Sequence, residues 1–238
     1  MFNAYRYGLK ALFFNIFHAV FKADLKRADY MDYWKKSDEE KIKTINRIQR
    51  EFFGKITHLF DPPLPEGILN RLKKIVAAAG VVKGDVVLDV GSGTGILIPL
   101  IQKYEPDSIY ACDLSKPMLK SLERQHPYAM TILADIGKLN LPDSSLDVVF
   151  VNACYSNLTD KEGFFKNIRR MIKHQGRLVI SHPMGKSFID TLRERSPFPL
   201  DDFPEKKDAE TILGRYGFKI KTFVDKPKLY MLVALCFK

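Results

Sequence analysis

The stretch VVLDVGSGTGIL, residues 86–97, constrains this chain most strongly, because it places three glycines within five residues directly after an apolar, β-branched run. A strand that leads into a glycine-rich turn and then a helix lets a ligand approach the main chain, and the helix N-terminus offers free N–H groups. The spacing is GxGxG, whereas a dinucleotide fingerprint reads GxGxxG and a P-loop needs Gly-Lys-Ser/Thr. We therefore predict a nucleotide-type site in an α/β fold.

Apolar strands and amphipathic helices alternate from about residue 66. The strand patterns are VVLDV, SIYACD, MTILAD, LDVVFVN and GRLVISH, and the main helical patterns are EGILNRLKKIVAAAGV, KPMLKSLERQ and KEGFFKNIRRMIKH. Such alternation is typical of a parallel sheet covered on both faces. The last two strands, KIKTFVD and LYMLVALCF, are joined too closely for a crossover and must pair antiparallel. We predict a doubly wound, mostly parallel, seven-stranded Rossmann-like sheet with an antiparallel last strand.

Residues 1–65 carry a different, helical pattern. Apolar positions in LKALFFNIFHAVF recur at helical spacing, and a second helix begins near SDEEKIK with Ser37 or Asp38 as its N-cap. The prolines of DPPLPEG, residues 61–67, then interrupt the pattern. We predict two units, a helical N-terminal extension or lid over 1–65 and a ligand-binding domain over 66–238.

Charge and cysteine content exclude several classes of function. The net charge of +10 is spread along the chain and is densest in RRMIKHQGR, residues 169–177, where His174 is predicted to be a charge at a helix C-terminus. No nucleic-acid signature accompanies it, so a solvated basic surface is the favoured interpretation and nucleic acid an unlikely partner. The three cysteines lie far apart, which predicts neither disulfide nor metal site and favours a reducing, cytoplasmic location.

The ordered set of glycines and acidic residues resembles the class I S-adenosylmethionine-dependent methyltransferases, over about residues 66–238. The resemblance is to the methyltransferase domain type 11, in the branch that includes quinone-biosynthesis methyltransferases. It implies S-adenosyl-L-methionine as the cofactor. Its turn would comprise Asp89, Gly91, Ser92, Gly93, Thr94 and Gly95. Further implied contacts are Asp113 with Leu114 at the ribose, Met118 near the adenine, Asp135 with Ile136 at the adenine amino group, and Asn152 bordering the methyl-donor pocket.

The methyl acceptor is not fixed by this fold. The segment after the fourth strand reads NACY, whereas methyltransferases acting on bases or amides carry D/N-P-P-Y there, which argues against those acceptors. His182 follows the fifth strand and is either a general base or a structural histidine held beside Pro183. Tyr155 either reaches the acceptor or packs beneath the following loop.

Ten aromatic side chains lie within residues 2–34. This segment is interpreted as a lid on the catalytic domain, as a membrane-interface helix over residues 1–28, or as a cleaved targeting piece. The first two readings favour an apolar acceptor. We predict methyl transfer to oxygen or carbon of a small hydrophobic or aromatic molecule. The alternatives are an RNA or protein methyltransferase guided by the basic surface, and a non-catalytic cofactor-binding protein. The oligomeric state stays open.

Overall fold

The structure is a computed structural model, and it describes residues 36–60 and 64–238. Its central feature is a seven-stranded sheet with the order β3-β2-β1-β4-β5-β7-β6. The strands are β1 (Val86–Val90), β2 (Ser108–Asp113), β3 (Met130–Leu133), β4 (Leu146–Asn152), β5 (Ile172–His182), β6 (Phe218–Lys226) and β7 (Leu229–Cys236). Strands β1 to β5 pair in parallel, and β7 lies antiparallel between β5 and β6. The predicted fold class is confirmed.

Helices cover both faces of this sheet. They are α1 (Asp38–Lys55), α2 (Ile68–Ala79), α3 (Ile98–Ile101), α4 (Lys116–Gln125), α5 (Lys161–Met171), α6 (Phe188–Arg193) and α7 (Lys206–Gly214). Successive residues of a strand face opposite sides of the sheet, so Val87 packs in the cluster that contains α2, and Leu88 packs in the cluster that contains α5. Both side chains are fully buried. Burial on two faces explains why the central strands read as continuous apolar runs.

Helix α1 begins with a capping box that the sequence only partly specified. Ser37 is the N-cap: its side chain accepts from the backbone N–H of Glu40, and the Glu40 carboxylate accepts from the backbone N–H of Ser37. The buried face of α1 includes Ile45 and Ile48, which belong to the same core cluster as the sheet. The Gln49 side chain donates to the Asn157 carbonyl at 2.7 Å. Helix α1 therefore packs directly against the central sheet.

The fifth strand begins earlier than the sequence predicted, and this corrects the interpretation of His174. Helix α5 ends at Met171, and residues 172–174 already belong to β5. Ile172 is fully buried opposite Leu146, so its burial favours strand over helix. His174 is therefore not a helix C-terminal charge; it lies in the strand, and its Nδ1 accepts from the backbone N–H of Lys238.

Several sequence predictions fall on residues outside the described ranges. They are the first amphipathic stretch, the aromatic segment 2–34, the membrane contact over 1–28 and the prolines at 62–63. The division into 1–65 and 66–238 stays a prediction. Within residues 36–60 and 64–238, no helix has both the length and the apolar character that a membrane crossing requires.

Candidate functional site at the carboxyl ends of β1, β2 and β4

The glycine turn lies between β1 and α3, and its three glycines serve different purposes. All three have positive φ, at 65° for Gly91, 55° for Gly93 and 91° for Gly95. A Cβ on Gly91 would lie 2.7 Å from the Cβ of Cys154, and one on Gly95 would lie 2.8 Å from the His126 ring. Among residues 36–60 and 64–238, no atom lies within 4 Å of a Cβ built on Gly93 apart from its chain neighbours. The outer glycines are required by protein packing, whereas Gly93 faces open space where a ligand can approach the main chain.

Two carboxylates flank this turn. Asp113 ends β2, and its carboxylate accepts from the backbone N–H groups of Gly93, at 2.9 Å, and Ser115, at 2.8 Å. Burial raises the pKa of Asp113. Asp89 in β1 is only 2% exposed, and burial together with the negative charge of Asp113 raises its pKa to about 8. Two carboxyl groups held this way favour a ligand that brings a positive charge or hydroxyl donors.

A third carboxylate, Asp135, lies at the N-terminus of the 3-10 helix Ile136–Lys138. Its Oδ1 accepts from the Gly137 N–H at 3.0 Å, and its Oδ2 accepts from the Asn46 side-chain amide at 2.7 Å. The Asn46 carbonyl oxygen in turn accepts from the Thr159 hydroxyl at 3.1 Å. The sequence analysis did not identify Asn46. The one feature that could have indicated it is a polar side chain next to Ile45, on a helix face that the structure shows to be buried.

The remaining cofactor candidates line the same region in different ways. Met118 and Ile136 are buried, and Leu114 is half-buried between β2 and α4. The Thr94 hydroxyl donates to the Phe60 carbonyl. Asn152 ends β4, and its side-chain oxygen accepts from the Ser181 hydroxyl at 3.0 Å.

Unsatisfied hydroxyls and the charge of the surrounding side chains indicate which ligand fits the turn. The buried hydroxyl oxygens of Ser92 and Ser115 have no hydrogen-bond partner within the described part of the chain. Buried polar atoms are normally satisfied, so these two are free to bond a ligand. A phosphate would lie beside the acidic side chains of Asp89 and Asp113, and its negative charge would oppose their ionisation. The residues therefore fit a nucleoside with hydroxyl donors and a cationic end, and not a nucleoside phosphate.

The two residues predicted to face the acceptor lie in one aromatic cluster beyond β4 and β5. Tyr155 is 3% exposed and His182 4% exposed, and the Phe203 ring contacts both, at centroid distances of 5.5 and 5.7 Å. Phe188 and Tyr230 extend this cluster. Sequence reasoning missed Phe203, because it lies in a connection that the strand pattern left unassigned.

Burial fixes the protonation states in this aromatic cluster. It lowers the pKa of His182 to about 4 and, with the charge of Asp201 as a lesser cause, raises the pKa of Tyr155 to about 12. The Nδ1 of His182 accepts from the Met184 N–H at 3.2 Å. At neutral pH His182 is therefore a neutral imidazole with its proton on Nε2, and Tyr155 keeps its hydroxyl proton.

The strand order reverses between β1 and β4, so the glycine turn, the three carboxylates and Asn152 meet at one crevice outside the strand ends. With its antiparallel β7, this arrangement defines the class I methyltransferase fold.

The comparison with protein families gives the same class. Residues 88–180 match the family model described as a methyltransferase domain. Over this segment the chain is similar to class I S-adenosylmethionine-dependent methyltransferases.

Three known proteins illustrate the similarity. The ubiquinone/menaquinone biosynthesis C-methyltransferase UbiE of Paraburkholderia phymatum is 29% identical over 63% of this chain and 65% of its own length. The malonyl-[acyl-carrier protein] O-methyltransferase of Xylella fastidiosa is 29% identical over 67% of this chain and 59% of its own. The magnesium protoporphyrin IX methyltransferase of Synechocystis PCC 6803, solved with bound SAH, has a TM-score of 0.62 at 18% identity and covers 81% of this chain and 99% of that one. The chain thus spans less than two thirds of these curated relatives, and the structural likeness shows the fold alone.

Proposed function

We propose that this protein is an S-adenosylmethionine-dependent methyltransferase that methylates oxygen or carbon of a small hydrophobic or aromatic molecule. The observation that carries the proposal is the open space at Gly93 with Asp89, Asp113 and Asp135 around it. Asp113 would accept from the ribose hydroxyls and Asp135 from the adenine amino group. Asp89 would face the cationic amino-acid end. Related proteins, which include a C-methyltransferase of quinone biosynthesis, support the same class of reaction.

The protein's part in the reaction is mainly positioning and exclusion of water. The bound cofactor supplies an activated methyl group, so an acceptor held at the right distance and angle needs little further activation. Asn152 marks the end of β4 between the turn and the aromatic cluster, so the acceptor would lie between them. Aromatic walls at Tyr155, Phe188 and Phe203 favour an acceptor with an apolar ring or chain.

His182 is proposed to contact the acceptor as a hydrogen-bond donor. Its low pKa opposes the proton uptake that a general base must carry out, and its Nδ1 is already used by the Met184 N–H. The Nε2–H of the neutral ring is the group that can orient an acceptor oxygen. This role differs from the base considered from sequence, and the two are distinguished by pH dependence of turnover.

Calorimetry with S-adenosylhomocysteine, followed by transfer of labelled methyl from S-adenosylmethionine to an acceptor panel, tests the proposal. The panel contains demethylated quinones, phenols, a structured RNA and a protein mixture. We expect saturable binding of the nucleoside and transfer to a quinone or phenol. Absence of binding would refute the cofactor assignment. Binding with transfer only to RNA or protein, or with no transfer to any member, would instead favour one of the two alternatives.

A further inference from the structure

A basic cleft lies between the C-terminal end of α1 and the outer face of α4. It has a volume of about 480 Å³. Its charged lining consists of Lys55, His58, Lys116, Lys120 and Arg124, and no acidic residue from the described part of the chain lines it. The opposite face of α4 carries Met118, Leu119 and Leu122 into the core. The cleft therefore lies on the face of α4 that bears Lys116, Lys120 and Arg124, away from Met118.

The charges along this cleft are not compensated by the protein. Lys116, Lys120 and Arg124 follow one another at intervals of four residues, so they share one face of α4, where like charges repel. Lys116 is the first residue of α4, and the first turn of this helix has no acidic residue. A cation is unfavourable at the positive end of a helix dipole. Within residues 36–60 and 64–238, none of the five basic side chains of the cleft forms an ion pair.

We infer that this cleft binds a phosphate or diphosphate group of a small molecule or lipid headgroup. Lys55, Lys116, Lys120 and Arg124 are four permanent cations, and a diphosphate brings several negative charges and many acceptor oxygens to one place. A single carboxylate would leave most of the positive charge uncompensated.

The shape and lining of the cleft favour a compact phosphate over a nucleic acid. His58 is the only ring with aromatic character among the lining side chains within the described ranges, so bases would find no stacking platform. The volume also matches a small ligand or headgroup and not an extended polymer. The inference does not depend on methyl transfer, since the donor turn is surrounded by carboxylates that disfavour phosphate.

Titration of the full chain with inorganic pyrophosphate tests this site. We expect saturable binding at low salt that weakens at least about tenfold in the double variant Lys116→Gln/Lys120→Gln, because two charge-assisted contacts are lost. The matched control is Lys73→Gln/Lys74→Gln, which removes the same charge from the exposed face of α2 and should change the affinity by less than about twofold. Unchanged thermal midpoints and unchanged S-adenosylhomocysteine binding in both variants show that the fold and the donor site are intact.

A second arm distinguishes the source of the phosphate. Vesicles containing phosphatidic acid are compared with phosphatidylserine vesicles of equal charge, by flotation. Pyrophosphate binding without flotation supports a soluble ligand. Flotation with phosphatidic acid alone, lost in Lys116→Gln/Lys120→Gln, supports a lipid headgroup. The inference is overturned if neither probe binds, if the control variant loses as much affinity, or if only an RNA oligonucleotide binds.

Discussion

The raised pKa of Asp89 predicts that binding of the nucleoside releases a proton. In the free protein the Asp89 carboxyl is protonated below its pKa of about 8, because it is buried beside Asp113. S-adenosylhomocysteine keeps a cationic amino group, and a nearby cation favours the ionised carboxylate. Affinity should therefore rise with pH until the pKa of Asp89 is passed.

The size of this effect follows from the pKa itself. Only about 1% of Asp89 is ionised at about pH 6 and about half at about pH 8, so a ligand that requires the ionised form should gain about 50-fold in affinity over that interval. The protein should release close to one proton per ligand at the lower pH. Calorimetry in two buffers of different ionisation enthalpy measures both quantities.

The variant Asp89→Asn provides the control. It is neutral at every pH, so it should bind S-adenosylhomocysteine more weakly than the wild type at about pH 8 and show no pH dependence. An affinity of the wild type that changes by less than about threefold from about pH 6 to about pH 8, or a variant that retains the slope, would refute the assigned role of Asp89.

Four further substitutions test the turn, the proposed ribose contact and the proposed acceptor side. Gly91→Ala should destabilise the fold by about 2–5 kcal/mol in thermal unfolding, since its Cβ meets Cys154 at positive φ. Gly93→Ala should destabilise the fold by only about 1–2 kcal/mol, from its positive φ, yet abolish calorimetric binding of S-adenosylhomocysteine; retained binding would place the ligand elsewhere. Asp113→Ala should weaken that binding by about 1.5–3 kcal/mol, through loss of charge-assisted hydrogen bonds. His182→Ala should lower turnover while leaving nucleoside affinity nearly intact, and full activity would make His182 structural.

The sheet was largely predictable because each central strand is short, apolar and bounded by polar or glycine residues. The antiparallel pairing of β6 and β7 followed from the length of their link alone. The boundary between α5 and β5 did not, since RRMIKH continues a helical pattern while tertiary burial of Ile172 opposite Leu146 makes that residue part of the strand. Helix α6 escaped prediction because six residues are too few to establish a period.

The residues of the proposed cofactor site could be predicted from local sequence patterns. The aromatic cluster proposed to contact the acceptor, in contrast, is assembled from residues far apart in the chain. Asp89, Asp113 and the glycines sit next to strand ends, so their position follows from the strand pattern. Phe203 contacts His182 only through tertiary packing, and no local sequence pattern predicts this contact. This difference between local and distant residues explains why the class of reaction is easier to infer from sequence than the acceptor molecule.

The side chain of Asn46, in α1, is hydrogen-bonded to both Asp135 and Thr159, which bears on where the chain can be truncated. Trimming the chain at the beginning of the glycine-turn domain would remove α1, and with it the Asn46 amide that donates to the Asp135 carboxylate. The same truncation would expose to solvent the part of the hydrophobic core that Ile45 and Ile48 now cover. We therefore expect a minimal folded fragment to keep the residues from Ser37 onward.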